Sequence, residues 1–274
     1  MFSGLLSIPQ AVLLGIVEGI TEFLPVSSTG HLLVVGELIG FGTGSSSTAA
    51  DTYSIAIQFG AILAVLLLYR IRVWSAMKGL VGADADGRAF LIRLIVAFLP
   101  AAFLGVLAGD AMKSALFGPV PVTIAWVVGG VFLLRWKPTV GSVSLHEMPI
   151  RAALIIGCAQ SIALWPGVSR SLVTLVAALA VGLSMSAAIE FSFLLGLITL
   201  SSATALDLTK HGSELVDQFG ILAPVIGLVC AFITAVIAVK WMVGYLESHS
   251  LRVFGWYRLA IGAVSVVLLA TNVL

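Results

Sequence analysis

The sequence predicts an all-α integral membrane protein with an inverted-topology repeat, in which each half has one re-entrant helical hairpin and three transmembrane helices. Three observations support this prediction. Of the 274 residues, 60% are hydrophobic and 10% charged, with a mean hydropathy of +1.15, which lies far outside the range of soluble domains. Two similar segments lie 142 residues apart, and basic residues concentrate in alternate loops. We expect a single membrane domain over residues 1–274.

Six apolar runs are long enough to cross about 30 Å of hydrocarbon as helices. Four shorter apolar pieces form two pairs, joined by turns rich in Pro, Ser and Gly at 25–28 and 166–170. Because the second member of each pair is too short to span, each pair is predicted to be a re-entrant hairpin, buried in protein or lining a wet cavity. The predicted spans are 53–69, 89–108, 119–135, 187–206, 220–243 and 253–273, and the shorter pieces are 8–24, 29–40, 150–165 and 171–183.

The distribution of lysine and arginine predicts the orientation of the chain. The loops at 70–93, 135–151 and 240–252 hold ten of them, whereas the alternating loops hold only Lys113 and Lys210. The ten are Arg70, Arg72, Lys78, Arg88, Arg93, Arg135, Lys137, Arg151, Lys240 and Arg252. The first set of loops is therefore expected in the cytoplasm, with 41–52 and 207–217 outside. The first hairpin then enters from the outer face and the second from the cytoplasmic face. Residues from about 1 to 137 and from about 150 to 274 become two repeats of opposite orientation.

The repeat is clearest at the two turns, where GIVEGITEFLPVSST, which ends at Thr29, aligns with GCAQSIALWPGVSRS, which ends at Ser171. Ser27 matches Ser169, and Thr29 matches Ser171. These hydroxyls suit a shared role, which is to cap the helix that follows each turn. The N-terminus of such a helix also suits an anion, so the sequence leaves two interpretations: caps alone, or caps that form an anion site near the bilayer midplane.

Two carboxylates, Glu18 and Glu22, share one face of the first apolar helix because they are four residues apart. Carboxylates inside an apolar helix are costly and need a partner. We favour a divalent-cation site whose ion also contacts phosphate. The alternative is that both carboxylates bond to neighbouring helix ends.

The positions that differ between the repeats divide the candidate chemistry. Ser28 and His31 follow the first turn, close enough for nucleophile and base to meet. Arg170, the partner of Ser28 in the second copy, is the only basic residue between Ala152 and Thr209, and its planar fork suits phosphate oxygens. The alternative for Arg170 is a salt bridge to Glu18, Glu22 or Glu190. We favour Ser28 as the nucleophile with His31 as base or leaving-group acid, and keep His31 itself and a metal-bound water as alternatives.

Three further polar residues lie in predicted spans. Glu190 and Arg258 are expected to have structural partners rather than a catalytic role. Gln58, near the outer end of its span, is expected to reach a cavity that opens outward.

At these residues the chain resembles the undecaprenyl pyrophosphate phosphatases, the bacitracin-resistance family of bacterial inner membranes. The resemblance rests on the E-x-x-x-E element from Glu18 to Glu22, the P-V-S-S-T-G-H element that ends at His31, and P-G-V-S-R-S followed by Thr174. It implies that the terminal phosphate is removed from a C55 polyprenyl diphosphate, which regenerates the lipid carrier for cell-wall synthesis. It also implies dependence on Mg²⁺ or Ca²⁺. The implied catalytic and phosphate-binding residues are Glu22, Ser27, Ser28, Thr29, His31, Ser169, Arg170, Ser171 and Thr174.

The predicted function is therefore that of a multi-pass inner-membrane phosphatase whose site opens toward the periplasmic face. Its expected partners are the polyprenyl diphosphate and the surrounding membrane lipids, with no nucleic acid, and a homodimer is left open. The alternative function is a secondary transporter or lipid flippase, because inverted repeats are typical of such proteins.

Overall fold

The computed structural model describes residues 6–42, 47–137 and 141–274, and its regular elements are helices apart from one isolated β-bridge between Val143 and Leu183. A short 3₁₀ helix, Ser161–Leu164, follows α7. The α-helices are α1 Ile8–Thr21, α2 Ser28–Leu38, α3 Ser47–Leu68, α4 Arg70–Leu80, α5 Ala85–Leu116, α6 Pro119–Arg135, α7 Ile150–Gln160, α8 Arg170–Ala180, α9 Met185–Phe219, α10 Leu222–Leu246 and α11 Arg252–Ala270.

In the described ranges, five helices are long and apolar enough to cross a membrane, and each contains most of a predicted span. They are Thr48–Leu68, Ala85–Gly109, Met185–Phe219, Leu222–Leu246 and Arg252–Ala270. The sixth predicted span is α6, which is apolar but has 17 residues, fewer than the roughly 20 that a perpendicular span needs. The chain is an all-α, multi-pass membrane protein.

Two long segments predicted as loops, residues 70–80 and 207–217, are helical, so these two predictions were wrong. Residues 70–80 form α4, which buries Ala76 and Gly79 and exposes Ile71 and Trp74. Residues 207–217 continue α9, where His211 Nδ1 lies 3.3 Å from an oxygen of Asp207 one turn earlier. Charged residues end an apolar run, but they do not end the ladder of backbone hydrogen bonds. Hydropathy therefore locates the apolar part of a helix and not its end.

The two halves of the chain pack against each other in reciprocal pairs. Helix α1 packs against α10 and α7 against α5, while α3 pairs with α9 and α6 with α11. Glycine allows the closest approaches, as is common between membrane helices. A Cβ atom at Gly15 would lie 2.3 Å from the carbonyl oxygen of Gly227, and one at the matching Gly157 would lie 2.3 Å from that of Ala97. Both substitutions would force the helices apart.

Candidate active site

The two turns share the backbone conformation of one serine each. Ser27 has φ 73° and ψ 100°, and Ser169 has φ 78° and ψ 111°. Each is the N-cap of the next helix: Ser27 Oγ accepts from the amide of Gly30 at 3.4 Å, and Ser169 Oγ from that of Leu172 at 3.2 Å. The predicted caps are therefore present at both matched serines. Positive φ in a residue other than glycine is uncommon and marks a position that the surrounding structure constrains.

Glu22 lies where the two turns meet. It is the residue after α1, and its side chain is 6% exposed. Ser28 Oγ donates a hydrogen bond to Glu22 Oε2, and Arg170 Nη2 donates to Glu22 Oε1 at 2.9 Å. The structure thus brings together three of the predicted site residues from both copies of the repeat, and the salt bridge to Glu22 left open for Arg170 is present.

Arg170 is oriented by α9 and by the turn after α1. Its Nη1 donates to the carbonyl oxygen of Ser192 at 2.9 Å, and its guanidinium carbon lies 5.3 Å from the centre of the Phe23 ring. Within the described chain its Nε–H has no acceptor. Thr174 Oγ1 lies 2.6 Å from Ser192 Oγ and donates to the Arg170 carbonyl at 2.8 Å, so it fastens α8 to α9.

His31 has partners other than Glu22, Ser28 and Arg170. Its Nδ1 lies 2.7 Å from the carbonyl oxygen of Ser27, and its Nε2 lies 2.9 Å from the hydroxyl of Tyr257. Since a carbonyl can only accept, Nδ1 carries a proton. The ring also packs edge-on against Trp126. Both nitrogens are therefore engaged elsewhere, and the structure does not bring His31 to the Ser28 hydroxyl.

Arg258 is a site residue whose partners the sequence did not reveal. It is fully buried in α11, and it donates to four carbonyl oxygens instead of a carboxylate. Nη2 bonds to Gly167 and Ala125, both at 2.8 Å, and Nη1 to Val168 at 3.2 Å and Pro25 at 3.3 Å. Arg258 joins the two turns through their backbones. The only signal in the sequence is an isolated arginine in an apolar span.

A cavity of about 190 Å³ lies between the turns. Of the predicted site residues, six line it: Glu22, Ser27, Ser28, Thr29, Ser169 and Arg170. Glu18, His31, Ser171 and Thr174 lie outside its lining. Thr29 and Gln58 also line a second cavity of about 440 Å³, which extends to Gly42 and Gly118 at the helix ends. Gln58 thus lines both cavities.

The carboxylates offer part of a cation site. Glu18 is fully buried, and both of its oxygens lack a hydrogen-bond partner in the described structure. An unpartnered buried carboxylate is costly, so a cation ligand role fits it. The oxygens of Glu22 already accept from Ser28 and Arg170. Among the described residues no group of three or more acidic, His or Cys side chains could hold a metal. The two carboxylates alone would supply only part of the ligands of a divalent cation.

Comparison with known proteins agrees with these motifs. A family model described as "Bacitracin resistance protein BacA" matches residues 11–264. A protein of Sorangium cellulosum named undecaprenyl-diphosphatase is 45% identical over 262 residues, which cover 93% of this chain and 84% of the relative. A protein of the same name from Rhodopseudomonas palustris is 42% identical, over 95% of this chain and 97% of the relative. One from Nitrosomonas europaea is 43% identical, over 93% of this chain and 92% of the relative.

Proposed function

The chain belongs to the bacitracin resistance protein BacA family, and we propose that it is a membrane phosphatase acting on undecaprenyl diphosphate. It releases inorganic phosphate and undecaprenyl phosphate, and so recycles the cell-wall lipid carrier. The observation that carries the proposal is the meeting of a hydroxyl, a carboxylate and an arginine from Ser28, Glu22 and Arg170 at one cavity.

The direct test uses purified protein in detergent, with undecaprenyl diphosphate as substrate and inorganic phosphate as the measured product. Steady release by the wild type and its loss in Ser28→Ala are the expected results. A flippase or transporter releases no phosphate from the substrate in detergent. Absence of phosphate release from folded wild-type protein would therefore favour that alternative.

Ser28 is the proposed nucleophile and Glu22 its base. The Ser28 hydroxyl already donates to Glu22 Oε2, so that carboxylate is placed to take the proton as Oγ attacks the terminal phosphorus. The Oγ–P bond forms while the bridging P–O bond breaks, and undecaprenyl phosphate leaves with the bridging oxygen. Water then hydrolyses the phosphoserine. His31, which bonds to the carbonyl of Ser27, instead positions the first turn.

Arg170 is the proposed anion clamp. Phosphoryl transfer depends mainly on positioning and charge neutralisation. The Arg170 guanidinium lines the cavity beside the N-termini of α2 and α8, whose free amides suit phosphate oxygens. In exchanging Glu22 for the phosphate, Arg170 would release the carboxylate for proton transfer.

A divalent cation, Mg²⁺ or Ca²⁺, is the proposed cofactor. The support is the pair of unpartnered oxygens on Glu18, one helical turn before Glu22. When bound, the ion supplies charge neutralisation at the phosphate. Glu18 and Glu22 would hold it from the protein side.

We also propose the inverted repeat and an outward-facing site. Support comes from the matched serine turns, the reciprocal packing of α1 on α10 and α7 on α5, and the sorting of basic residues. The route from the site toward Gly42 and Gly118 ends in segments that charge counting places outside. Ser46, a labelling position that the sequence suggests there, lies outside the described residues.

An impermeant maleimide tests the orientation. In a background without Cys158 and Cys230, Ser114→Cys at the exposed end of α5 should react in intact spheroplasts. Ser248→Cys, exposed after α10, should react only after permeabilisation. The reverse pattern would place the site on the cytoplasmic side.

A further inference from the structure

Two buried hydrogen-bond donors lie at the cavity without an acceptor. Gln160, the last residue of α7, is 2% exposed and lines the cavity that holds Ser28 and Arg170. Neither Gln160 Nε2 nor Arg170 Nε has a partner in the described structure. A buried donor without an acceptor is costly, so donors of this kind indicate that the ligand supplies the acceptor.

The amide of Gln160 is oriented by Thr199 on α9, which also lines the cavity. The hydrogen of the Thr199 hydroxyl has two acceptors in reach, Gln160 Oε1 at 3.4 Å and the carbonyl oxygen of Leu195 at 2.9 Å, and its donation to Oε1 fixes the amide. The amide oxygen is thus turned toward α9, which leaves the Nε2 hydrogens for a group in the cavity.

Comparison of Gln160 with the matched residue of the other repeat indicates which kind of ligand this donor suits. Gln160 occupies the position of Glu18 in the other copy, and both side chains are buried with unpartnered atoms. The unpartnered atoms of Glu18 are acceptors, which suit a cation. Those of Gln160 are donors, which suit an anion. A carboxylate at position 160 would present a negative charge to the cavity that Arg170 lines.

We infer that Gln160 is a substrate-binding residue, whose amide donates, together with Arg170 Nε, to the non-bridging oxygens of the substrate's diphosphate. The inference rests on the proposed function for the identity of the ligand. It adds a neutral donor from α7 to the charged clamp from α8.

Kinetics of three variants test the inference. Gln160→Leu removes the donor at similar size, and we expect KM for undecaprenyl diphosphate to rise about tenfold with kcat little changed, because the contact exists before and during phosphoryl transfer. Gln160→Glu should lose about a hundredfold in kcat/KM, since it adds a like charge. Thr199→Val leaves the amide in place without its orienting hydroxyl, and should raise KM about threefold. Cys158→Ala, on an exposed position of the same helix, is the matched control and should behave as wild type.

A binding measurement separates this inference from the proposed function. Inorganic diphosphate should raise the Tm of the wild-type protein in detergent, and Gln160→Leu should remove most of that rise. This readout needs no hydrolysis, so a failure of the phosphatase proposal would appear separately, as a wild type that releases no phosphate. The inference is overturned if inorganic diphosphate gives no rise, or an equal rise in Gln160→Leu. Unchanged KM in Gln160→Leu also overturns it. Higher activity in Gln160→Glu than in Gln160→Leu would also overturn the inference, and would indicate that residue 160 is a cation ligand.

Discussion

The turn at Ser27 and the turn at Ser169 hold their serines at nearly the same φ, 73° and 78°, yet they contribute different chemistry. Each uses a serine with positive φ to cap the next helix. The next residue is Ser28 in the first turn and Arg170 in the second, and both side chains bond to Glu22. One turn therefore supplies a hydroxyl and a carboxylate, and the other supplies a cation.

Positions that the two turns share have a different task from positions that differ. The matched serines build the geometry, and Arg258 fixes it by bonding to carbonyls of both turns. In the proposed mechanism the unmatched positions carry the reaction. A variant at an unmatched position should therefore change turnover, and a variant at a matched position should change stability.

The largest effect is expected at Glu22. Glu22→Gln keeps the shape but cannot accept the Ser28 proton and weakens the proposed cation site, so kcat should fall by about a thousandfold or more. Phosphate release at several Mg²⁺ concentrations measures this. Glu18→Gln is the control one turn away, where excess cation should rescue part of the activity because the matched residue Gln160 is already an amide. Near-normal turnover of Glu22→Gln at low cation would remove Glu22 from the mechanism.

The second largest loss of activity is expected at Arg170. Arg170→Lys should lose about a hundredfold in kcat/KM, nearly as much as Arg170→Ala, because an ammonium cannot reproduce the fork that now contacts Glu22 and the Ser192 carbonyl. Steady-state kinetics of the two variants are compared directly. If Arg170→Lys keeps most of the turnover, a point charge is sufficient and the proposed contact of the Arg170 fork with the phosphate is wrong.

Arg258 should show a smaller loss of activity and a clear loss of stability. Arg258→Met leaves four buried carbonyls without their donor, which should destabilise the fold by at least about 3 kcal/mol and lower turnover about tenfold. Arg258→Lys keeps part of the donor set, so its stability and turnover should lie between those of the wild type and Arg258→Met. Thermal unfolding in detergent gives the stability. A wild-type Tm in Arg258→Met would show that the turns are fastened by other contacts.

The smallest effect is expected for glycine at a matched serine. Ser169→Gly loses the cap to Leu172 but suits φ 78°, so stability should change by no more than about 0.5 kcal/mol. Ser169→Val, which lacks the cap and is β-branched at positive φ, should cost about 2 kcal/mol. Equal Tm values for the two variants would contradict the strained-cap description.

The sequence predicts the membrane class, five of the six spans and the two turns, because these depend on apolar runs and on local Pro, Ser and Gly. It also predicts that Glu22 and Arg170 could meet, since buried charges need partners. The Tyr257 contact of His31 and the carbonyl contacts of Arg258 could not be predicted, because α11 lies more than 200 residues from the first turn. Three residues of spacing suggested that His31 faces Ser28, but in the structure its ring nitrogens contact the Ser27 carbonyl and the Tyr257 hydroxyl.

The division of chemistry between the turns is tested most directly by rapid quenching with undecaprenyl diphosphate labelled in its terminal phosphate. We expect a transient, acid-stable phosphoryl group on Ser28 in the wild type, and none in Ser28→Ala, which should be nearly inactive. An acid-labile adduct on His31 would contradict the account, as would substantial turnover of Ser28→Ala.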